Sequence, residues 1–438
     1  MNFKLLKTHG PWAVGLVGAF FLGTKWELPS NNENPTEAES ASSSRNLPST
    51  SSFSSKDSNP KTSSSRSAQS KPASDDIISD IFNAATLSQD GIEALTTEAL
   101  RDPNQIKRRL AFSRLLTGMT TGNASSIRDQ LIASGAGGQE WRDFNYAWGA
   151  IAGEEAFLNS STNEKRDLQS LISGWAAQDP AGAIAMLNAL PENLADQKTK
   201  LQDGIVAGLA DRDRDEATNY VVSLAAAGRK DVSRLMETVT NEVLREGGTQ
   251  EASDWVSTLD DGPLKGTAMN KIAERYVRAD PNAAAAWVAQ FADQDYATRA
   301  ITEVGKEWAE KEPLAAVTWL DNLPEGNGQK SGLNSAFGDW EDKDPVAAGE
   351  YLLTMPQSPK RDSAISGFAN GYAYQDPETA IAWAQDISDP GLKNQTLTRA
   401  GQAYFRRNPE AAREWLPSSG LSPEIQAKIQ TPRDSRRR

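Results

Sequence analysis

The stretches DPNAAAAWV (280–288), EPLAAVTWL (312–320), DPVAAGEYL (344–352), DPETAIAWA (376–384) and NPEAAREWL (408–416) are one pattern, repeated at a spacing of 32 residues. Reading backward, its first position recurs at Gly248, Asp213 and Asp179, after steps of 32, 35 and 34 residues. Such self-similarity marks a chain built from stacked copies of one supersecondary unit.

Each column of the pattern has a physical reason. The first position is mostly Asp or Asn, whose side-chain oxygen can accept from the free N–H groups of a helix's first turn. Proline follows at Pro180, Pro281, Pro313, Pro345, Pro377 and Pro409, with a backbone preset for the first helical position. The pattern therefore opens a helix. Four residues past the opening position all eight copies carry alanine: Ala183, Ala217, Ala252, Ala284, Ala316, Ala348, Ala380 and Ala412. A small residue on an apolar stripe is what close helix contact requires, because a larger one would overpack it. One turn later, on the same face, stand Met186, Tyr220, Trp255, Trp287, Trp319, Tyr351, Trp383 and Trp415. Leu190, Leu224, Leu259, Phe291, Leu323, Met355 and Ile387 are expected to extend that stripe by another turn, and Pro191, Pro324 and Pro356 to stop the helix.

A second helix runs toward each opening position. Its apolar residues fall at i, i+3, i+4 and i+7, as in Leu168/Leu171/Ile172/Trp175, Ile301/Val304/Gly305/Trp308, Leu333/Ala336/Phe337/Trp340 and Ile365/Phe368/Ala369/Tyr372. The expectation is an all-α fold, an α-solenoid of antiparallel helix pairs. The helices should be about 11–14 residues long, the period is ~32 residues, and the repeats occupy 161–430. Residues 76–160 are expected to form a diverged N-terminal helical cap, with Asp102-Pro103 opening a segment that contains Ile106, Leu110 and Leu115, and Trp141, Phe144 and Trp148 in another. Ser422 to Ile429 suggest a closing helix, and 431–438 a solvated basic tail.

The front of the chain reads differently. Lys4 and Lys7 precede an apolar run, PWAVGLVGAFFLGT (11–24), closed by Lys25, the layout of an export signal. No small-residue cleavage site follows, and Trp12 and Trp26 flank the run as interfacial anchors, so 1–27 is read as a signal anchor, with a cleaved signal peptide as the alternative. Residues 28–75 are dominated by Ser, Asn, Thr and Pro, with Phe53 almost the sole apolar interruption, and read as a disordered linker. The membrane is thus met through the N-terminal segment alone.

Charge and composition exclude several functions. Setting aside residues 1–75 and the tail from Arg433, the body carries 34 basic and 52 acidic side chains, a net −18, which would repel a phosphate backbone. Nucleic acid is not an expected partner. The chain has no cysteine, and its single histidine, His9, lies in the leader, so the body lacks the imidazole or thiolate of a catalytic triad or an ordinary zinc site. Asp211, Asp213 and Asp215 imitate the opening of a calcium loop, but Glu216 and Val222 stand where that loop needs Gly and Glu, and Asp213 already belongs to the capping column. The pairs Glu154/Glu155 and Glu341/Asp342 could in principle do acid and base work, yet neighbours on a helix point apart, and EDKD (341–344) is expected in a solvated turn. GAGG (135–138) lacks the Lys-Ser/Thr of a phosphate loop and follows no strand. The aromatic column, a ladder for ligand stacking in principle, is read as core because it shares a face with the alanines. No catalytic, cofactor-binding or metal-ligating residue is assigned, and no cofactor is expected.

The two-helix unit resembles the tetratricopeptide-like superfamily of α-solenoids, and the columns aromatic, Asp-Pro, Ala, Trp, Leu-Pro look like those of exported bacterial helical-repeat proteins. The resemblance covers roughly residues 160 to 420. The spacing of 32 and the lack of a Gly-x2-Tyr element depart from the tetratricopeptide pattern proper. What the resemblance implies is protein or peptide binding along a groove. The expected function is an exported, membrane-tethered, non-catalytic scaffold in the bacterial periplasm or outside the cell. The alternatives are an envelope polysaccharide-active enzyme on an α/α toroid and a spacer without a ligand. Partner identity and oligomeric state are not encoded in the pattern.

Overall fold

The computed structural model of the chain describes residues 87–161, 167–190 and 192–430. The leader (1–27), the Ser-rich linker (28–75), Pro191 and the basic tail (431–438) lie outside them. The described residues are helical, with no strand among them. They belong to two compact units divided between Phe144 and Asn145.

The first unit holds α1 (Gln89–Arg101), α2 (Gln105–Thr117), α3 (Ala124–Ser134) and the start of α4 (Gly138–Ser161). Its core is Ile92, Leu115, Ile127, Leu131 and Phe144. Asn104 rather than Asp102 caps α2, and Ile106 is 70% exposed in its first turn. Asp102 instead accepts from the Asn104 N–H at 2.7 Å, so the Asp-Pro pair forms a turn before the helix.

In the second unit the capping logic sets the helix starts. These are α6 (Pro180–Asn188), α8 (Arg214–Ala226), α11 (Pro281–Val288), α13 (Pro313–Asp321), α15 (Pro345–Thr354), α17 (Pro377–Gln385) and α19 (Pro409–Trp415). Asp179, Asp213, Asp280, Asp344, Asp376 and Asn408 each accept a backbone N–H of the first turn, from Gly182, Asp215 and Glu216, Ala283, Ala347, Thr379 and Ala411 respectively. Glu312 makes no such bond. At Gly248 neither carboxylate nor proline is present, and the break inside α9 (Val232–Ser257) is made by a positive φ of 67° that favours glycine. Asp344→Ala should lower stability by about 1 kcal/mol in urea denaturation, and Asp344→Asn by much less.

The intervening helices are α5 (Leu168–Gln178), α7 (Lys198–Arg212), α10 (Pro263–Ala279), α12 (Thr298–Ala309), α14 (Asn327–Glu341), α16 (Pro359–Tyr372), α18 (Pro390–Arg407) and the closing α20 (Pro423–Gln430). They pack on one another in succession, α10 on α12, α12 on α14, α14 on α16, α16 on α18 and α18 on α20, and α11, α13, α15 and α17 each touch the two that flank them. This is a solenoid-like arrangement in which elements meet their neighbours in sequence. All eight column alanines are fully buried. Leu416, Leu421 and Ile429 close the last cluster beside Ala400 and Ala412.

Two features differ from the expected pattern. Helices α11, α13, α15 and α17 span 8, 9, 10 and 9 residues, so Phe291, Leu323, Met355 and Ile387 lie beyond the α-helix; Leu323, Met355 and Ile387 are buried in the turn that follows. Proline after Leu323 and Met355 disfavours the helical conformation at the residue before it, which ends the helix early. The second feature is glycine contact. A Cβ on Gly174 of α5 would lie 1.8 Å from the Tyr146 carbonyl oxygen of α4, and one on Gly367 of α16 would lie 1.9 Å from that of Asn334 in α14. These helices meet backbone to backbone.

A basic residue just before the opening position adds a tie between successive copies. Arg212 donates to the Gln178 carbonyl at 3.0 Å, Lys343 to Ala309 at 3.3 Å and also to Glu310, and Arg407 to Tyr374 at 3.1 Å and also to Gln375. A cation at a helix C-terminus satisfies its last carbonyls and its dipole.

Candidate binding groove

The capping columns leave one face of the short helices open. Along α13, Leu314, Ala315, Thr318, Trp319 and Asn322 line a groove of about 800 Å³, with Trp308 at the end of α12, Trp340 near the end of α14 and Ala347 on α15. Leu314 is 56% exposed, and Val346, beside Ala347, is 69% exposed. Trp319 is half-buried, its ring 6.0 Å from that of Trp308, which is buried to its edge. The Trp308 indole N–H donates to Glu312 at 3.3 Å, which fixes both groups at the groove wall. Large apolar side chains left in water around a concavity mark a surface that gains by being covered.

A second groove of about 540 Å³ is built from the equivalent columns of another copy: Trp175, Asp179, Gly182, Ala185, Met186 and Ala189, with Glu154 beside them. These stand where Trp308, Glu312, Ala315, Thr318, Trp319 and Asn322 stand one hundred and thirty-three residues later. The same sequence columns thus line a concavity in two of the copies.

The aromatic column, expected in the core, is buried at two of its eight positions and half-buried at the other six. Trp255 and Trp287 are buried, whereas Trp319, Tyr351, Trp383 and Trp415 are half-buried and in ring contact with residues of the helix before, Trp308, Trp340, Phe368 and Tyr404. Asp211 accepts from the Tyr146 hydroxyl and pairs with Arg245 at 3.5 Å, while Asp213 caps α8. Among the described residues no three His, Cys, Asp or Glu side chains are grouped to hold a metal ion. Glu154 and Glu155 are both exposed. Gly135 ends α3 with a φ of 71° and Gly138 begins α4, so GAGG is a helix-to-helix turn.

Glu341 corrects the expectation of a solvated acidic run. It is fully buried, while Asp342 is exposed. Burial, the charge of Asp342, a hydrogen bond to Asp342 and the charge of Asp339 together push its carboxyl up to about 8. Glu341 follows Phe337 by four residues, so the apolar stripe of α14 runs through it, and the corresponding residues of the neighbouring copies are Ala309 and Ala373. That stripe was the signal in the sequence. A Cβ on Gly371 would lie 2.0 Å from the Glu341 carboxylate, so glycine there makes its room.

Comparison with family models, curated proteins and solved structures finds no match to the chain. No helix among the described residues is long and apolar enough to cross a membrane; the apolar run 11–24 lies outside them.

Proposed function

We propose that the chain is an exported, membrane-tethered helical-repeat scaffold without catalysis of its own, which binds a protein or peptide segment in the cell envelope. In this reading the helices pair antiparallel in units of 32 residues, as in tetratricopeptide-like solenoids, and the anchor and linker hold the repeats away from the membrane. The observation that carries it is the groove lined by Trp308, Leu314, Trp319 and Trp340 and formed again from the same columns at Trp175 and Met186. The toroid enzyme would need two carboxylates facing one cleft. The Glu341/Asp342 pair does not supply them, since Glu341 is sealed from solvent and Asp342 is not.

A photo-crosslinking amino acid at Thr318 of the full chain tests this in the producing cell. Cross-links to one or a few envelope proteins are expected from Thr318, and none of the same proteins from Arg399, exposed on α18. The same yield and partners from both positions would contradict the reading.

A further inference from the structure

Four successive short helices, α11, α13, α15 and α17, counted with their opening positions, are charged with one sign. Residues 280–288, 312–321, 344–354 and 376–385 contain no lysine, arginine or histidine and seven carboxylates, among them Asp280, Glu312, Asp344 and Glu350. Several cations of the same copies are engaged: Lys343 and Arg407 hold carbonyls of the preceding copy, Arg361 pairs with Asp386 at 2.5 Å, and Lys360 pairs at 2.9 Å with Asp321, one of the seven. Lys311, the residue before Glu312, is exposed. Glu312 and Glu350 are exposed and, among the described residues, have no lysine or arginine at ion-pair distance. Glu312 lines the groove, and Glu350 occupies on α15 the column that Thr318 occupies on α13.

We propose that this groove takes a cationic segment of a partner protein that carries an apolar anchor. An aliphatic side chain of that segment seats against Leu314, Trp319 and Trp340. A flanking arginine or lysine meets Glu312 or Glu350, and its stem can lie across the half-buried face of Trp319. The apolar surface alone would accept any hydrophobic segment. The unpaired carboxylates select among them, because unlike charge speeds encounter and like charge at the rim is repelled. The inference rests on the peptide-binding reading above and adds the chemistry of the peptide.

The test uses the full chain in detergent and three fluorescent synthetic peptides of equal length, alternating Arg-Leu, Glu-Leu and Arg-Ser, read by anisotropy. Binding of Arg-Leu at least tenfold tighter than either of the others is expected. That binding should fall at least tenfold in Leu314→Ser/Val346→Ser, whose exposed side chains leave the fold intact, and weaken with salt in the parent but less so in Glu312→Gln/Glu350→Gln. Equal binding of Arg-Leu and Glu-Leu, both lost in the serine variant, would overturn the charge selection and leave peptide binding standing. Arg-Leu binding undiminished in the serine variant would overturn the site, as would failure of all three peptides, which would also count against the peptide-binding reading.

Discussion

Gly174→Ala is expected to destabilise the second unit by about 3 kcal/mol, although alanine is the better helix former. The added methyl would meet the Tyr146 carbonyl oxygen at 1.8 Å and its carbonyl carbon at 2.7 Å. Those are backbone atoms inside α4, so no side-chain rotation relieves the clash and the two helices must separate. Separation strips packing from Leu171, Ile172 and Trp175, all buried on the same helix. Gly338→Ala is the control. It also lies inside a helix, α14, but its nearest neighbour stands 3.7 Å from the new atom, and removing a helical glycine should stabilise by about 0.5–1 kcal/mol. Denaturation of the two variants beside the parent checks both signs. A neutral Gly174→Ala would mean that α4 and α5 do not touch as described.

Glu341→Gln is expected to remove a pH dependence of stability between about 4.5 and about 8. An unfolded chain ionises this carboxyl near the ordinary glutamate value, whereas burial and the charges of Asp342 and Asp339 keep it protonated in the fold up to about 8. The folded state therefore binds the proton more tightly. Its contribution is fully present below about 4.5, falls as pH rises, and is gone above about 8. Each pH unit in that window removes up to about 1.4 kcal/mol. The body contains no histidine, so no side chain with an ordinary value between those limits obscures the effect. Glutamine keeps a neutral group of the same shape. Parent and variant should agree near pH 5, and the variant should be the more stable by a few kcal/mol at pH 8.5. Parallel pH profiles would show that Glu341 reaches water.

Where local chemistry and packing agree, the sequence announced the structure. Asp-Pro followed by alanine on the fourth position predicts a helix start with a buried seam, and α11, α15 and α17 begin at that proline with Ala284, Ala348 and Ala380 fully buried. The glycine contacts were not legible. Gly174, Gly208 and Gly371 hold one column and Gly204 and Gly367 another, but most copies place other residues there, and glycine inside a helix reads as a weakness until its neighbours are seen. The helix ends were half legible, since Pro324 and Pro356 fix the stop but not how Leu323 and Met355 tuck under it. Of the groove, the columns were visible and their exposure was not. Leu314 and Val346 follow a helix-opening proline directly, and only the packing of α13 and α15 shows that this position faces water.

Thiol accessibility reads that claim directly, because the chain has no cysteine of its own. Single substitutions Ala316→Cys, Ala348→Cys and Ala380→Cys place a small probe in the seam, and Leu314→Cys and Val346→Cys place one two residues earlier on the same helices. If the alanine column is where the helices meet, the seam thiols resist a maleimide in the native protein and react once urea unfolds it, while the other two react at the rate of a free thiol throughout. Seam thiols that label as fast as those at 314 and 346 would show that the repeat in the sequence is not a repeat of contacts.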